Sequence, residues 1–164
     1  MLMRARPFQL PLTSLLRKRI GPGDFVDSYA VPLADPDLTP MQLAARLTVM
    51  PGWVNGLLWL RNGLVSPLGL KTGADATPAN GDPGIGDYVS FFRLEELSPN
   101  EAILGEDDRH LDFRVSVLKT AGPHPLAAIS TWVHPHNLGG RLYLAGVLPF
   151  HKLIIRRMLA NVAA

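Results

Sequence analysis

The run His110-Leu111-Asp112-Phe113-Arg114 sets three polar side chains at every second position, and this is the stretch whose residue types come nearest to chemistry. On a β-strand, side chains two apart share a face, so His110, Asp112 and Arg114 would project together. An imidazole beside a carboxylate can titrate near neutral pH, as general acid–base work requires, and a guanidinium can hold an anion. The competing reading is a solvated strand face laced with ion pairs, each contributing at most about 1 kcal/mol. His134-Pro135-His136 adds two imidazoles, for which Glu106 or Asp112 could supply a carboxylate. Metal sites need three or four ligands in defined geometry, so these histidines read as a turn at a strand end and no metal or other cofactor is expected. His151 follows Pro149, where a carbonyl freed by the proline could accept its ring N–H. Arg61 and Asn62 interrupt an apolar helix face, and either point into a cavity or mark that helix's exposed stripe. The serines lack a nucleophile-elbow context, and a chain without cysteine has no thiolate chemistry or disulfide framework.

The elements that would position these groups follow from the hydrophobic pattern. Residues 1–23 form an irregular arm, limited by Pro7, Pro11 and Pro22. Phe25, Tyr29 and Val31 mark a strand over Asp24–Leu33. Thr39 and Pro40 then suit the N-cap and first position of a helix carrying Leu43, Leu47 and Met50. Pro51-Gly52 separates it from a second helix, about Trp53 to Val65, and residues 71–87 are a long loop. Its Gly-Asp-Pro-Gly-Ile-Gly stretch lacks both the spacing and the following helix of a phosphate loop.

From Tyr88 the period changes to two, giving a four-stranded meander through Glu101–Glu106, His110–Lys119 and Leu126–Val133. In His110–Val117 the odd positions are Leu111, Phe113, Val115 and Val117, so the odd face is the buried one. Folding about Gly122 puts Ile129, Thr131 and Val133 on that face and Ser130, Trp132 and His134 on the polar one. Folding about Asp108 adds Ile103 to the core and Glu106 to the polar face. A terminal helix over about Gly140 to Val162 carries Tyr143, Val147, Phe150, Ile154 and Met158 near one face, with Pro149 expected to kink or split it. The order strand, helix pair, meander, long helix defines an α+β chain. It reads as a helix-grip fold: a curved antiparallel sheet wrapped around a long C-terminal helix, as a single domain over residues 24–164.

Composition sets the limits. A chain of 164 residues with 47% hydrophobic and 18% charged residues can build a core without metal or disulfide staples. The net charge of +2 is too small for a basic footprint, and the basic clusters lack the modules or interleaved aromatics of a nucleic-acid binder, so none is expected. The apolar stretches at Trp53–Leu70 and Leu142–Leu159 are broken by polar residues and proline, so no membrane span is expected. With no secretory h-region at the N-terminus, a cytoplasmic location is the default.

The runs Pro51-Gly52-Trp53, Pro67-Leu68-Gly69-Leu70-Lys71-Thr72, Gly105 through Arg114 and Pro149-Phe150-His151 resemble the bacterial family called domain of unknown function 2867. The resemblance runs from Asp24 nearly to the C-terminus. It implies kinship with the START-like, polyketide-cyclase-like helix-grip superfamily, whose members commonly hold apolar small molecules between sheet and terminal helix; some are cyclases or dehydratases. The family also resembles domains fused to short-chain-dehydrogenase-like partners, which makes an oxidoreductase partner, like a homo-oligomer, an expectation to test. Three readings stand at this point: a small apolar-ligand binding module, a cyclase or dehydratase using His110, Asp112 and Arg114, or a protein-interaction module. The candidate ligand contacts are His110, Asp112, Arg114, Trp132, His134, Arg61 and His151.

Overall fold

A computed structural model describes residues 5–49, 52–53, 56, 83–90 and 92–163. Among these residues seven strands form one antiparallel, curved sheet: β1 (Arg6–Pro7), β2 (Phe25–Pro32), β3 (Tyr88–Val89), β4 (Phe92–Leu97), β5 (Glu101–Asp107), β6 (Leu111–Lys119) and β7 (Leu126–Pro135). Their spatial order is β1-β2-β7-β6-β5-β4-β3. The meander thus has five strands rather than four. Ser90 adopts a left-handed φ of 59°, which lets Val89 pair with Phe92 across a tight turn and splits the expected first strand in two. β2 closes against β7, the far end of the meander.

Helix α1 (Pro40–Leu47) begins as its sequence dictates. Thr39 Oγ1 accepts from the Gln42 N–H while Gln42 Oε1 accepts from the Thr39 N–H, and Pro40 occupies the first turn, where a missing N–H costs nothing. Leu43, Ala44 and Leu47 are fully buried. The expected second helix and Arg61 lie, for the helix mostly and for Arg61 wholly, outside the described residues, as does most of the 71–87 loop. Helix α2 (Leu138–Ala160) is capped by Asn137 and runs through Pro149 without dividing, so the expected split does not occur. The missing proline N–H forfeits one hydrogen bond in a 23-residue helix, and packing of Ile155, Met158 and Leu159 against the sheet holds the rest.

The cross-strand register settles both faces. Val117 opposes Ile129, Val115 opposes Thr131 and Phe113 opposes Val133, as the Gly122 turn requires. These residues face α1 and α2, where Val31, Leu47, Leu104 and Leu159 join them in the main core. The pairing of β5 with β6 is shifted by three residues relative to expectation, an odd number that exchanges its two faces. The Asp108 N–H bonds to the Leu111 carbonyl, which centres the turn between Arg109 and His110 rather than on Asp108. Ile103 therefore opposes Ser116 on the face away from the helices, and Glu106 opposes Phe113 on the helix side.

The face away from the helices is covered too. β1 pairs with β2, and a 3₁₀ turn at Leu15–Arg19 lies over β5 and β6, so the arm expected to be irregular carries two short regular segments. Leu10 and Leu16 from this arm bury Ile103 and Trp132. The arm is pinned by Glu101, which is 2% exposed: its carboxylate accepts from Ser14 Oγ (2.6 Å), Ser116 Oγ (2.5 Å) and the Leu15 N–H (2.7 Å).

A bulge between Leu94 and Glu96 in β4 adds a second tie. One extra residue allows two consecutive side chains to reach one face, and both Glu95 and Glu96 bind Arg19, at 3.2 and 2.9 Å. Lys18 adds an exposed pair to Glu96 at 2.7 Å. Among the described residues no helix is long and apolar enough to cross a membrane.

Candidate functional site

On the helix side of the sheet the row formed by Ala102, Val117, Ile129 and Tyr29 is followed by one formed by Leu104, Val115, Thr131 and Asp27. Asp27 stands in β2 between Phe25 and Tyr29 on that face, and Thr131 opposes it directly in β7. His151, from the middle of α2, brings its Nε2 to 3.0 Å from Asp27 Oδ1 and donates to it. The two side chains are only 14% and 16% exposed. Phe25 meets the imidazole edge-on, with ring centroids 6.0 Å apart, which fixes the ring's plane. Asp27 Oδ2 and Thr131 Oγ1 are both buried and have no hydrogen-bond partner among the described residues. A carboxylate oxygen and a hydroxyl left unpaired in an apolar setting each forfeit about 1–3 kcal/mol. The two halves of α2 are buried to different extents. Tyr143, Leu144, Val147 and Leu148 are half-buried, whereas Ile155, Met158 and Leu159 of the second half are buried.

The other sequence-derived candidates that fall within the described residues lie away from this cluster. Arg114 is 3% exposed on the opposite face, folded over Gly105. Its Nε donates to Glu95 (2.6 Å), Nη2 to Asp107 (2.6 Å), and Nη1 to the carbonyls of Phe113 and Glu106 (2.8 and 3.1 Å). Burial works against its charge, but the two carboxylates outweigh burial and hold its pKa above the ordinary value. Asp112 pairs with His136 Nε2 at 2.9 Å. That hydrogen bond, opposed by partial desolvation, raises the His136 pKa above its ordinary value. His110 sits in the turn before β6, its Nδ1 3.2 Å from Asn137 Oδ1 at the start of α2. Gly140 belongs to the same junction, since a Cβ there would collide with the His110 carbonyl.

Trp132 and His134 do meet, through Asp24. Trp132 Nε1 donates to Asp24 Oδ2 and His134 Nδ1 to Oδ1, both at 2.6 Å, and the two rings stack with centroids 6.1 Å apart. Burial pushes Asp24 up, but donors from His134, the Gly21 N–H and Trp132 outweigh it and leave the carboxyl below its ordinary pKa. His134 and His136 have ring centroids 5.7 Å apart, yet no group of three or more metal-competent side chains occurs among the described residues.

Of the candidates named from sequence, His151 alone reaches the helix-side cluster; Asp27, Thr131 and the buried Glu101 were missed. Asp27 had a legible signal, a carboxylate occupying an apolar phase between Phe25 and Tyr29. Thr131 had a weaker one, a hydroxyl between Ile129 and Val133.

An antiparallel sheet covered on one face by helices and on the other by its own N-terminal arm defines an α+β protein whose isolated polar cluster lies under a long helix. The chain belongs to the family described as Protein of unknown function (DUF2867), which matches residues 19–158. No curated protein and no solved structure matches it.

Proposed function

We propose that the protein binds an apolar small molecule carrying a hydroxyl or amine, held between the sheet and the first half of α2 in a helix-grip arrangement. The observation that carries this reading is the pair of buried atoms, Asp27 Oδ2 and Thr131 Oγ1, unpartnered among the described residues and set on neighbouring strands beneath a half-buried stretch of helix. A ligand hydroxyl satisfies both at once, donating to the carboxylate and accepting from the threonine. A carboxylic acid is disfavoured, because its charge would face that of Asp27. Aromatic side chains of Phe25, Tyr29 and Phe113 are positioned by the same face to meet the apolar body.

A second reading has its own observation. A carboxylate orienting an imidazole is an acid–base pair, so Asp27 and His151, rather than His110 and Asp112, would be the residues of a cyclase or dehydratase.

Binding is tested by native mass spectrometry of the purified protein, extraction of any bound species, and comparison with Thr131→Val. The expected result is a hydroxyl- or amine-bearing apolar molecule that is lost in Thr131→Val, while that variant gains about 1 kcal/mol in stability by removing an unpaired hydroxyl. A wild-type protein that carries nothing, and whose Asp27, Thr131 and His151 NMR signals ignore a panel of apolar alcohols and amines, refutes the reading.

A further inference from the structure

Helix α2 has 23 residues and none is acidic, whereas Arg141, Lys152, Arg156 and Arg157 give it four cations against a net charge of +2 for the whole chain. All four are exposed, whereas Gly140, Ile155, Met158 and Leu159 are the residues the helix buries. Leu138, Leu142, Phe150 and Leu153 on the same helix are exposed as well, at 70, 66, 49 and 55%. A solvent-facing helix surface ordinarily mixes both signs of charge and keeps large apolar residues scattered. This one joins leucines to charges of a single sign. Val49, 66% exposed, extends the apolar surface at the helix end, where Asn161 Nδ2 donates to its carbonyl at 2.9 Å.

The charge pattern selects the occupant. Two copies of α2 laid together would oppose cation to cation. A nucleic acid would satisfy the arginines but leave the leucines in water. An anionic bilayer meets both requirements: headgroups pair with the cations, and the acyl boundary receives leucine and phenylalanine side chains while the arginine stems snorkel outward. We propose that the outward face of α2 docks flat on an anionic lipid surface. The proposal stands on that face alone and is independent of what the Asp27 cluster holds.

The test is co-sedimentation of the full chain with vesicles of phosphatidylcholine, or of phosphatidylcholine mixed with phosphatidylglycerol, at low and high salt. Binding to the mixed vesicles is expected, with little to phosphatidylcholine alone and a steep loss at high salt. Neutralising Lys152, Arg156 and Arg157 together to glutamine should weaken partition roughly a hundredfold, since each basic residue contributes about a factor of five. Leu142→Ser with Leu153→Ser, at exposed positions that leave the fold intact, should weaken it about tenfold or more. Equal sedimentation with both vesicle types, or retention by the glutamine variant, overturns the proposal. So does retention by the serine variant, which would reduce the interaction to charge alone, or capture by an acidic helical peptide with no vesicle binding.

Discussion

Replacing Glu101 by alanine removes the acceptor of three hydrogen bonds at a position that is 2% exposed. The Ser14 and Ser116 hydroxyls can rotate in search of other acceptors, but the Leu15 N–H cannot. An orphaned buried donor costs about 1–3 kcal/mol, and hydrogen bonds to a charged group lie at the upper end. The expected loss is therefore about 4 kcal/mol, a large fraction of the stability of a domain this size. Glu101→Gln preserves shape: its oxygen can accept from the Leu15 N–H while its NH₂ donates to the serine hydroxyls, so the loss should be about 1 kcal/mol. Ser116→Ala, which removes one donor, should fall between them.

Urea denaturation followed by far-UV circular dichroism gives these differences, and the alanine variant should melt about 12 °C lower. Trypsin supplies a local readout. Arg17, Lys18 and Arg19 lie in the 3₁₀ turn that Glu101 holds, and cleavage there should accelerate in Glu101→Ala before the sheet unfolds. Equal stabilities for the alanine and glutamine variants, both within about 1 kcal/mol of wild type, would show that the buried carboxylate is not what pins the arm.

The same face gives a second expectation. Gly105→Ala would drive a Cβ into the Phe113 carbonyl and the Arg114 stem, with backbone on one side, and should destabilise by about 3 kcal/mol in the same assay. The pH dependence has two limbs. Asp24 is held below its ordinary pKa, so its stabilising contribution is present above about pH 4 and is lost as pH falls through the lower folded value. His136 is raised, so its contribution is full below about pH 6.5 and is lost as pH rises through the higher folded value. Asp24→Asn should flatten the acid limb of a stability–pH profile and His136→Gln the neutral one; unchanged limbs would contradict the pairings with His134 and Asp112.

The alternation in β6 was readable because a one-residue slip would have buried Asp112 and Arg114 among leucines and valines, and the Gly122 turn carried that register into β7 correctly. The β5 register was not readable. Ile103 and Glu106 each suit either face once the outer one is also covered, and nothing in Asp107-Asp108-Arg109-His110 distinguishes the two possible turn centres. The cover itself was hidden, since Leu10 and Leu16 come from an arm whose prolines argue against regular structure. At the candidate site, His151 stood out beside Pro149, but its partner lies 124 residues earlier, and such pairings follow from the sheet order rather than from local sequence. The link from β2 to β7 places Asp27 beneath α2.

That link also sets a clock. Ser28 and Ser130 join β2 to β7 across 102 residues, so β2 is synthesised long before its neighbour exists. At about 5–20 residues per second, its hydrogen-bonding edge waits roughly 5–20 s on the ribosome. During that interval Phe25, Tyr29 and Val31 have only the two-residue β1 beside them, while the β3–β6 hairpins can form from contacts between adjacent strands. A nascent chain of this topology therefore passes through a window in which a holding chaperone, or its absence, decides between folding and self-association.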